Sequence, residues 1–317
     1  MAAGLLAALG AGLLWGLVFV VPLILHDYPG VVLAFGRYTA FGLLAIGLAW
    51  FDRAALARLS RADWLEAARL ALVGNLLYYT TLASAIQLAG APLPTLFIGT
   101  LPVVIAVTSN LIADDNGAPR MPWRHLALPL LLILGGLALV HRPDALHKAS
   151  NTPLSGIALA IAAVACWTWY PIRNSRWLRR HGAGQARAWA TAQGLMTLPL
   201  ALLAMLAYAA WDTLTGSGFL WPAGPRPAVF VSLMLVVGLV ASWLGTMLWN
   251  RASHLLPPAL AGQLIVFETM AALTYAFIWY HRWPTVSEGG GILLLVCGVA
   301  LGIRAFRRSP GNLQAAP

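Results

Sequence analysis

Two charged side chains lie inside long apolar runs of this sequence, where a charge is costly and therefore indicates a functional site by default. Glu268 is the one carboxylate deep in such a run, and Arg37 is the one deep cation. Three roles stay open for Glu268: a proton-coupling site, a partner for a substrate amine, and a structural hydrogen-bond acceptor. Arg37 could bind a substrate carboxylate or pair with a protein acid. Its early place in its run favours a third role, in which the side chain extends to the polar end of the run.

Aromatic and amide side chains form a second set of candidates, because stacking and hydrogen bonding suit a small organic solute. Trp167 and Tyr170 are three residues apart and share one helix face. Amides and rings at such depth are expected to face protein or a cavity rather than lipid. For Trp167, cavity lining and plain packing stay equally open. The candidate cavity residues are Trp15, Asn75, Tyr78, Tyr79, Phe97, Thr100, Trp167, Gln193, Trp243 and Gln263.

The sequence shows no arrangement of residues typical of an enzyme. All seven histidines lie in or beside the connections between apolar runs. No HExxH, paired CxxC or phosphate-binding loop is present. We therefore expect no catalysis, no metal and no cofactor, and any uphill transport would need an ion gradient, most simply of protons.

The composition is that of an integral membrane protein. The 317 residues are 60% hydrophobic and only 9% charged, whereas soluble domains carry about 25% charged residues. The mean hydropathy is +0.77. The net charge of +10 comes from basic residues in short connections, so it does not imply nucleic acid. The expected partners are a lipid bilayer and a small-molecule substrate, and the expected oligomeric state is a monomer or weak dimer.

Ten apolar runs are long enough to cross a bilayer, which needs about 20 residues. Most of the arginines lie in the connections after the second, fourth, sixth and eighth runs. The positive-inside rule then places both termini in the cytoplasm. We expect the chain to be a multi-pass protein of a bacterial-type inner membrane. The runs cover roughly 3–25, 31–51, 66–88, 92–112, 125–141, 153–173, 185–210, 228–250, 258–280 and 286–305.

The second half of the chain repeats the first. An offset of 152 pairs Gly4 with Gly156 and Trp15 with Trp167, and an offset of 167 pairs Ala85 with Ala252. We interpret residues 1–150 and 151–306 as two five-helix repeats, followed by a cytoplasmic tail, 307–317. Because five is odd, the second repeat enters the bilayer upside down. Inverted repeats are typical of secondary transporters, with the substrate between the halves near the midplane.

These features resemble the drug/metabolite transporter superfamily, EamA type. The resemblance rests on the five-plus-five plan, Trp15-Gly16, Arg37, the run Trp249–Ala252 and Glu268. Members often carry a Glu-Pro pair in the ninth span, where this chain has Glu268 followed by Thr269. Within the superfamily, the aromatic richness is similar to that of the YddG-type aromatic amino acid exporters.

The resemblance implies an all-α membrane transporter with ten transmembrane helices around a central cavity. It implies export of small organic solutes by alternating access. Amino acids with aromatic or hydrophobic side chains are the first expectation, with threonine and methionine as further candidates. A proton-coupled multidrug or metabolite exporter is the alternative, with Glu268 as the coupling site. An integral membrane enzyme or a scaffold subunit is a weaker alternative.

Overall fold

The computed structural model describes residues 1–89, 97–112, 122–140, 154–216 and 218–308. These ranges contain helices and no strand. The predicted boundary between the halves at 150/151, the start of the fourth predicted span (92–96) and residues 309–317 of the predicted tail lie outside the described residues.

The helices follow the apolar runs of the sequence and extend past most of them. In the first half they are α1 (Ala2–Gly16), α2 (Val21–Ile24), α3 (Gly30–Leu56), α4 (Arg61–Leu70), α5 (Tyr78–Ala89), α6 (Leu101–Leu111) and α7 (Trp123–Val140). In the second half they are α8 (Leu154–His181), α9 (Ala186–Thr215), α10 (Pro227–Val237), α11 (Gly245–Leu255), α12 (Pro258–Leu264), α13 (Val266–Trp279) and α14 (Val286–Arg308).

Eight helical stretches within the described ranges are long and apolar enough to cross a membrane. They correspond to the predicted spans other than the third and fourth. The third, 66–88, starts inside α4, which carries the charged residues Arg61, Asp63, Glu66 and Arg69. The fourth is described only from residue 97. The all-helical membrane fold therefore agrees with the sequence, while the count of ten stays a prediction.

Two π-helical segments interrupt the helices at equivalent places in the two halves. Residues Ala71–Leu77 join α4 to α5, and Gly238–Leu244 join α10 to α11. The offset between them is 167, the value that pairs Ala85 with Ala252 in the sequence. Since π-helical turns are rare and concentrate at functional sites, the two segments direct attention to the helices that pack around them.

Helices that the predicted repeat pairs with each other pack together and run in opposite directions. Along α3 and α9, Gly42 faces Leu198, Gly194 faces Ala45, and Asp52 near the end of α3 meets Arg187 near the start of α9. Residue numbers therefore rise along α3 in the direction in which they fall along α9, so the two helices are antiparallel.

The pair α7 and α14 shows the same antiparallel arrangement. Gly298 lies against Ile133, whereas Ser287 donates a hydrogen bond to the Leu139 carbonyl oxygen at 2.8 Å. Between these points the backbones approach so closely that a Cβ placed on Gly136 would lie 2.7 Å from the Gly291 carbonyl oxygen. Small residues permit such close helix contacts in membranes.

Other helices of each half pack against helices of the other half. Helix α1 of the first half packs against α11 and α13 of the second, and α8 of the second half packs against α5 and α6 of the first. The two π-helical segments lie beside this exchange, and the space enclosed there is the cavity described next.

Candidate functional site

A cavity of about 460 Å³ lies between the two halves. Its described lining comes mainly from α1, α3, the first π segment with α5, and α8, and it reaches the connection between α2 and α3. The lining residues are Trp15, Val18, Phe19, Leu25, His26, Tyr28, Gly30, Leu33, Arg37, Tyr38, Phe41, Asn75, Tyr78, Tyr79, Leu82, Trp167, Tyr170, Ser242, Thr246 and Glu268.

Stacked aromatic rings form one wall of this cavity. Trp167 lies between Tyr78 and Tyr170, with ring centroids 4.9 Å away on each side and interplanar angles of 21° and 3°. Tyr79 completes the group, edge to face with Tyr38 on α3. These rings make this wall of the cavity apolar and aromatic.

The π segments fix the position of the rings at two points. The indole nitrogen of Trp15 donates a hydrogen bond to the Ala241 carbonyl oxygen at 3.0 Å. In the first half, Tyr170 lies so close to Gly74 that a Cβ at that position would be 2.2 Å from its ring. The second π segment therefore supplies a hydrogen-bond acceptor for Trp15, and the first leaves room for the Tyr170 ring. Each segment positions an aromatic residue from the other half of the chain.

Three polar groups face the cavity among these rings. The Arg37 Nε donates a hydrogen bond to the Ser242 hydroxyl at 2.8 Å. The Asn75 amide donates to the Thr197 hydroxyl at 3.1 Å. Glu268, near the start of α13, is half-buried and also lines the cavity. The site thus combines an aromatic wall with one cation, one carboxylate and one amide.

A buried polar network lies on one side of the cavity. The Tyr170 hydroxyl donates to Gln193 Oε1 at 2.9 Å. Asn174 Oδ1 accepts hydrogen bonds from Gln193 Nε2 at 3.2 Å and from Trp189 Nε1 at 2.9 Å. The Asn174 amide in turn donates to Asn250 Oδ1 at 2.8 Å. Buried networks whose members are all hydrogen-bonded are rigid, so this one should hold Tyr170, at the wall of the cavity, in a fixed position.

Ion pairs join the two halves at the arginine-rich end of the protein. Arg173 Nε donates to Glu66 Oε1 at 2.5 Å, and Arg187 Nε donates to Asp52 Oδ1 at 2.6 Å. In both pairs the carboxylate comes from the first half and is buried, whereas the arginine comes from the second half and is about half exposed.

A third carboxylate of the first half makes a similar contact. Asp63 Oδ1 accepts a hydrogen bond from the Trp177 indole nitrogen at 2.7 Å, and His181 Nε2 lies 3.4 Å away. The Trp177 ring stacks on Trp189 with centroids 3.5 Å apart. This chain of contacts continues the polar network to the surface.

A different set of contacts borders the opposite end of the cavity. The Arg226 guanidinium binds both carboxylate oxygens of Asp27, and these hydrogen bonds hold the pKa of Asp27 below its usual value. The Tyr28 hydroxyl donates to the Ala223 carbonyl oxygen at 2.8 Å, and its ring stacks on Phe230. Since Tyr28 also lines the cavity, these connections lie at its mouth.

Comparison with known proteins identifies the family to which the chain belongs. The sequence model of the EamA-like transporter family matches the chain twice, over residues 2–141 and 154–304. The chain belongs to the EamA-like transporter family. It is therefore a multi-pass membrane transporter, and the resemblance inferred from the sequence is confirmed at the level of the family.

Two proteins and one solved structure are similar to this chain. The inner membrane protein YtfF of Escherichia coli K12 is 46% identical over 314 residues, which cover 98% of each protein. A protein of Archaeoglobus fulgidus named an uncharacterized transporter is 24% identical over 85% of this chain and 86% of its own. A crystal structure that covers 98% of this chain and 100% of its own superposes with a TM-score of 0.73 at 18% identity, which shows a shared fold.

Within this EamA-like chain, the structure brings half of the predicted cavity residues together. Trp15, Asn75, Tyr78, Tyr79 and Trp167 all line the cavity, as does Glu268. Their contact with a substrate stays a prediction.

The other five predicted cavity residues are not among the described lining residues, and a role for them in the site stays a prediction. Gln193 is buried in the polar network because its amide bonds to Tyr170 and Asn174. Trp243 turns away and donates to the Thr191 hydroxyl at 3.0 Å.

The remaining three predicted residues belong to the fourth and ninth apolar runs and are Phe97, Thr100 and Gln263. Thr100 donates to the Phe97 carbonyl oxygen at 2.6 Å, which closes the turn before α6. Gln263 is fully buried in α12, where the described part of the chain offers its amide no hydrogen-bond partner.

Sequence reasoning missed several members of the lining. Arg37 was expected to extend to the end of its run, but it faces the cavity because Ser242, 205 positions later, accepts its hydrogen bond. Tyr38 and Phe41 also line the cavity. The adjacency of Tyr38 to Arg37 was a usable signal, since a second polar group at the same depth favours a shared cavity.

Proposed function

We propose that this EamA-like transporter exports small organic solutes, foremost amino acids with aromatic or other hydrophobic side chains, by alternating access. The observation that carries the proposal is the aromatic-walled cavity between the two halves. Its volume of about 460 Å³ is within the range of about 300–1,000 Å³ that small-molecule sites occupy.

The chemistry of the lining supports a ligand that is mostly apolar with a few polar groups. Trp167, Tyr78 and Tyr170 present stacked rings, which suit an aromatic or aliphatic side chain. Arg37, Asn75 and Glu268 supply hydrogen bonds for a polar head. Few polar contacts also suit a transporter, because a substrate held by many would leave slowly.

Two features of the fold support alternating access by inverted repeats. The family model matches each half separately, and the π segments recur at the same offset as the sequence repeat. Equivalent helices α3 and α9 run antiparallel, as halves of opposite orientation require. Rocking of one such half against the other exposes a central site to each side in turn.

The contacts at the two ends support a specific orientation for this state. The arginine-rich end is closed by ion pairs and a buried network, while the cavity extends toward His26 and Tyr28 at the other end. By the positive-inside rule the arginine-rich end, with both termini, faces the cytoplasm of an inner membrane. The structure then corresponds to a state whose cytoplasmic side is shut.

A second candidate function is proton-coupled export of drugs or other metabolites. The observation that favours it is Glu268, whose carboxylate lines the cavity without an ion pair among the described residues. A carboxylate in this position can exchange a proton with the solution that reaches the cavity, and the rings would bind drug-like cations through cation–π contacts.

Counterflow in proteoliposomes tests the main proposal. Vesicles with the purified protein are loaded with unlabelled phenylalanine, diluted into labelled phenylalanine, and compared with vesicles loaded with buffer or with aspartate. We expect transient accumulation of label only with phenylalanine or another hydrophobic amino acid inside. Absence of counterflow with every amino acid contradicts the proposal, provided that the protein is monodisperse and incorporated.

The second candidate function can be tested in the same vesicles. Glu268→Gln should abolish the dependence of uptake on an imposed pH gradient. Unchanged gradient dependence in this variant contradicts a proton-coupling role for Glu268.

A further inference from the structure

Arg37 and Glu268 present opposite charges to the same cavity without bonding to each other. Both line it. Arg37 uses its Nε to bind the Ser242 hydroxyl at 2.8 Å, and in the described part of the chain its two terminal nitrogens have no hydrogen-bond partner. The Glu268 carboxylate likewise accepts no hydrogen bond and joins no ion pair there.

The separation of the two charges is informative because an unpaired charge in the membrane interior is costly. Two side chains of opposite charge in one cavity would lower this cost by pairing directly. Here the Ser242 hydroxyl and the Tyr38 ring, 5.2 Å from the Arg37 guanidinium carbon, hold the arginine in its place. The arrangement is preorganised for a ligand that carries both complementary charges.

We infer that Arg37 and Glu268 bind the two ends of a zwitterion, so that the substrate is a free α-amino acid rather than a simple hydrophobic amine or acid. This inference rests on the proposed function and names the substrate class of the same cavity. The terminal guanidinium nitrogens of Arg37 bind the carboxylate in a two-pronged fashion. Glu268 accepts hydrogen bonds from the ammonium group.

The aromatic wall completes the recognition. With the head group between Arg37 and Glu268, the side chain of the amino acid lies against Trp167 and Tyr78, which line the same cavity. A simple amine would leave Arg37 unpaired and near a like charge, and a simple acid would do the same to Glu268. Discrimination against the wrong ligand thus comes from repulsion as well as from lost contacts.

Competition by analogues tests this assignment. Counterflow of labelled phenylalanine is measured with external phenylalanine, 2-phenylethylamine, which lacks the carboxylate, or 3-phenylpropionate, which lacks the amine. Because each missing charge removes charge-assisted hydrogen bonds, we expect each analogue to compete at least about tenfold more weakly than phenylalanine.

Two variants should change the competition in opposite ways. Arg37→Gln should remove the disadvantage of 2-phenylethylamine but keep that of 3-phenylpropionate. Glu268→Gln should do the reverse. A variant that only folds poorly lowers all signals together and cannot produce this crossed pattern. Arg58→Gln, which changes an exposed arginine in the connection after α3, is the charge control and should behave as the wild type.

Ligand-induced thermal stabilisation in detergent separates the inference from the proposed function, since a bound ligand raises the melting temperature without transport. If counterflow is absent but phenylalanine stabilises the protein with the crossed pattern in the variants, the charge assignment stands and the export proposal fails. Counterflow in which both analogues compete as well as phenylalanine overturns the assignment and leaves export intact. Selectivity unchanged in Glu268→Gln overturns it too, and loss of gradient dependence in that variant then favours proton coupling.

Discussion

Trp15 and Trp167 meet edge to face in the wall of the cavity, with ring centroids 5.7 Å apart. The two residues are 152 positions apart and are paired by the predicted repeat. Trp15 packs against Gly245, and Trp167 stacks on Tyr78, which precedes Gly245 by the second offset of 167. The contact therefore joins the two halves at the point where each contributes the same residue, in an environment that differs between them.

The asymmetry of this contact predicts that Trp167 is the more important ring for substrate. Trp167→Ala removes stacking on both Tyr78 and Tyr170, and we expect the half-saturating phenylalanine concentration in counterflow to rise about tenfold. Trp169→Ala is the matched control, because Trp169 lies on the same helix but is 36% exposed on its outer surface. Equal effects of the two substitutions would contradict a role for Trp167 in the cavity.

The ion pairs at the arginine-rich end predict a gate. Arg173→Gln combined with Arg187→Gln should weaken closure, because Glu66 and Asp52 lose their ion pairs with the second half and keep only Arg69 and the Thr191 hydroxyl. The arginines are about half exposed, so each pair should contribute only about 1 kcal/mol. The cavity should then become accessible from that side about fivefold or more faster.

Accessibility of the cavity can be measured with a single cysteine. Thr246→Cys lines the cavity, and Cys166→Ala with Cys297→Ala removes the native thiols. An impermeant maleimide is applied from the arginine-rich side, and the labelling rate is compared with and without the two arginine substitutions. Arg58→Gln in place of both serves as control, and an unchanged rate in the double variant argues against the gate.

The sequence predicted the architecture better than the orientation of single side chains. Long apolar runs, the offsets of 152 and 167 and Trp15-Gly16 were enough to predict an all-helical membrane protein of the EamA type, and the family match confirms the membership. Such features are properties of composition and spacing, which the sequence carries directly.

The direction of individual polar side chains depends on partners far away in the chain, and the sequence does not reveal these. Arg37 faces the cavity because of Ser242, and Gln193 is withdrawn from it because Asn174 and Tyr170 complete its hydrogen bonds. The π segments add a second reason, since they rotate the following turns relative to an ideal helix. Any face assigned from 3.6-residue spacing across Ala71–Leu77 is therefore shifted.

Substitution of Gly74 tests how strongly the first π segment positions Tyr170. Gly74→Ala places a methyl group against the Tyr170 ring, with 2.2 Å between the new Cβ and the nearest ring atom. We expect a loss of about 1–3 kcal/mol of stability, as for other overpacked sites, together with weaker counterflow. Gly47→Ala is the control, because no atom lies within 4 Å of a Cβ there. Melting temperatures in detergent compare the two, and a Gly74→Ala protein as stable as Gly47→Ala contradicts the close contact.

Two buried glutamines predict opposite responses to the same substitution. Gln193 is 1% exposed and bonds to Tyr170 and Asn174, so Gln193→Leu leaves the Tyr170 hydroxyl without its acceptor. A buried polar group without a partner costs about 1–3 kcal/mol, and we expect a lower melting temperature. Gln263 is fully buried, and within the described ranges its amide has no partner. Gln263→Leu has a similar size and removes a polar group that already lacks hydrogen bonds, so it should leave stability unchanged or raise it. A large loss of stability in Gln263→Leu would show that this amide has a partner in the folded protein.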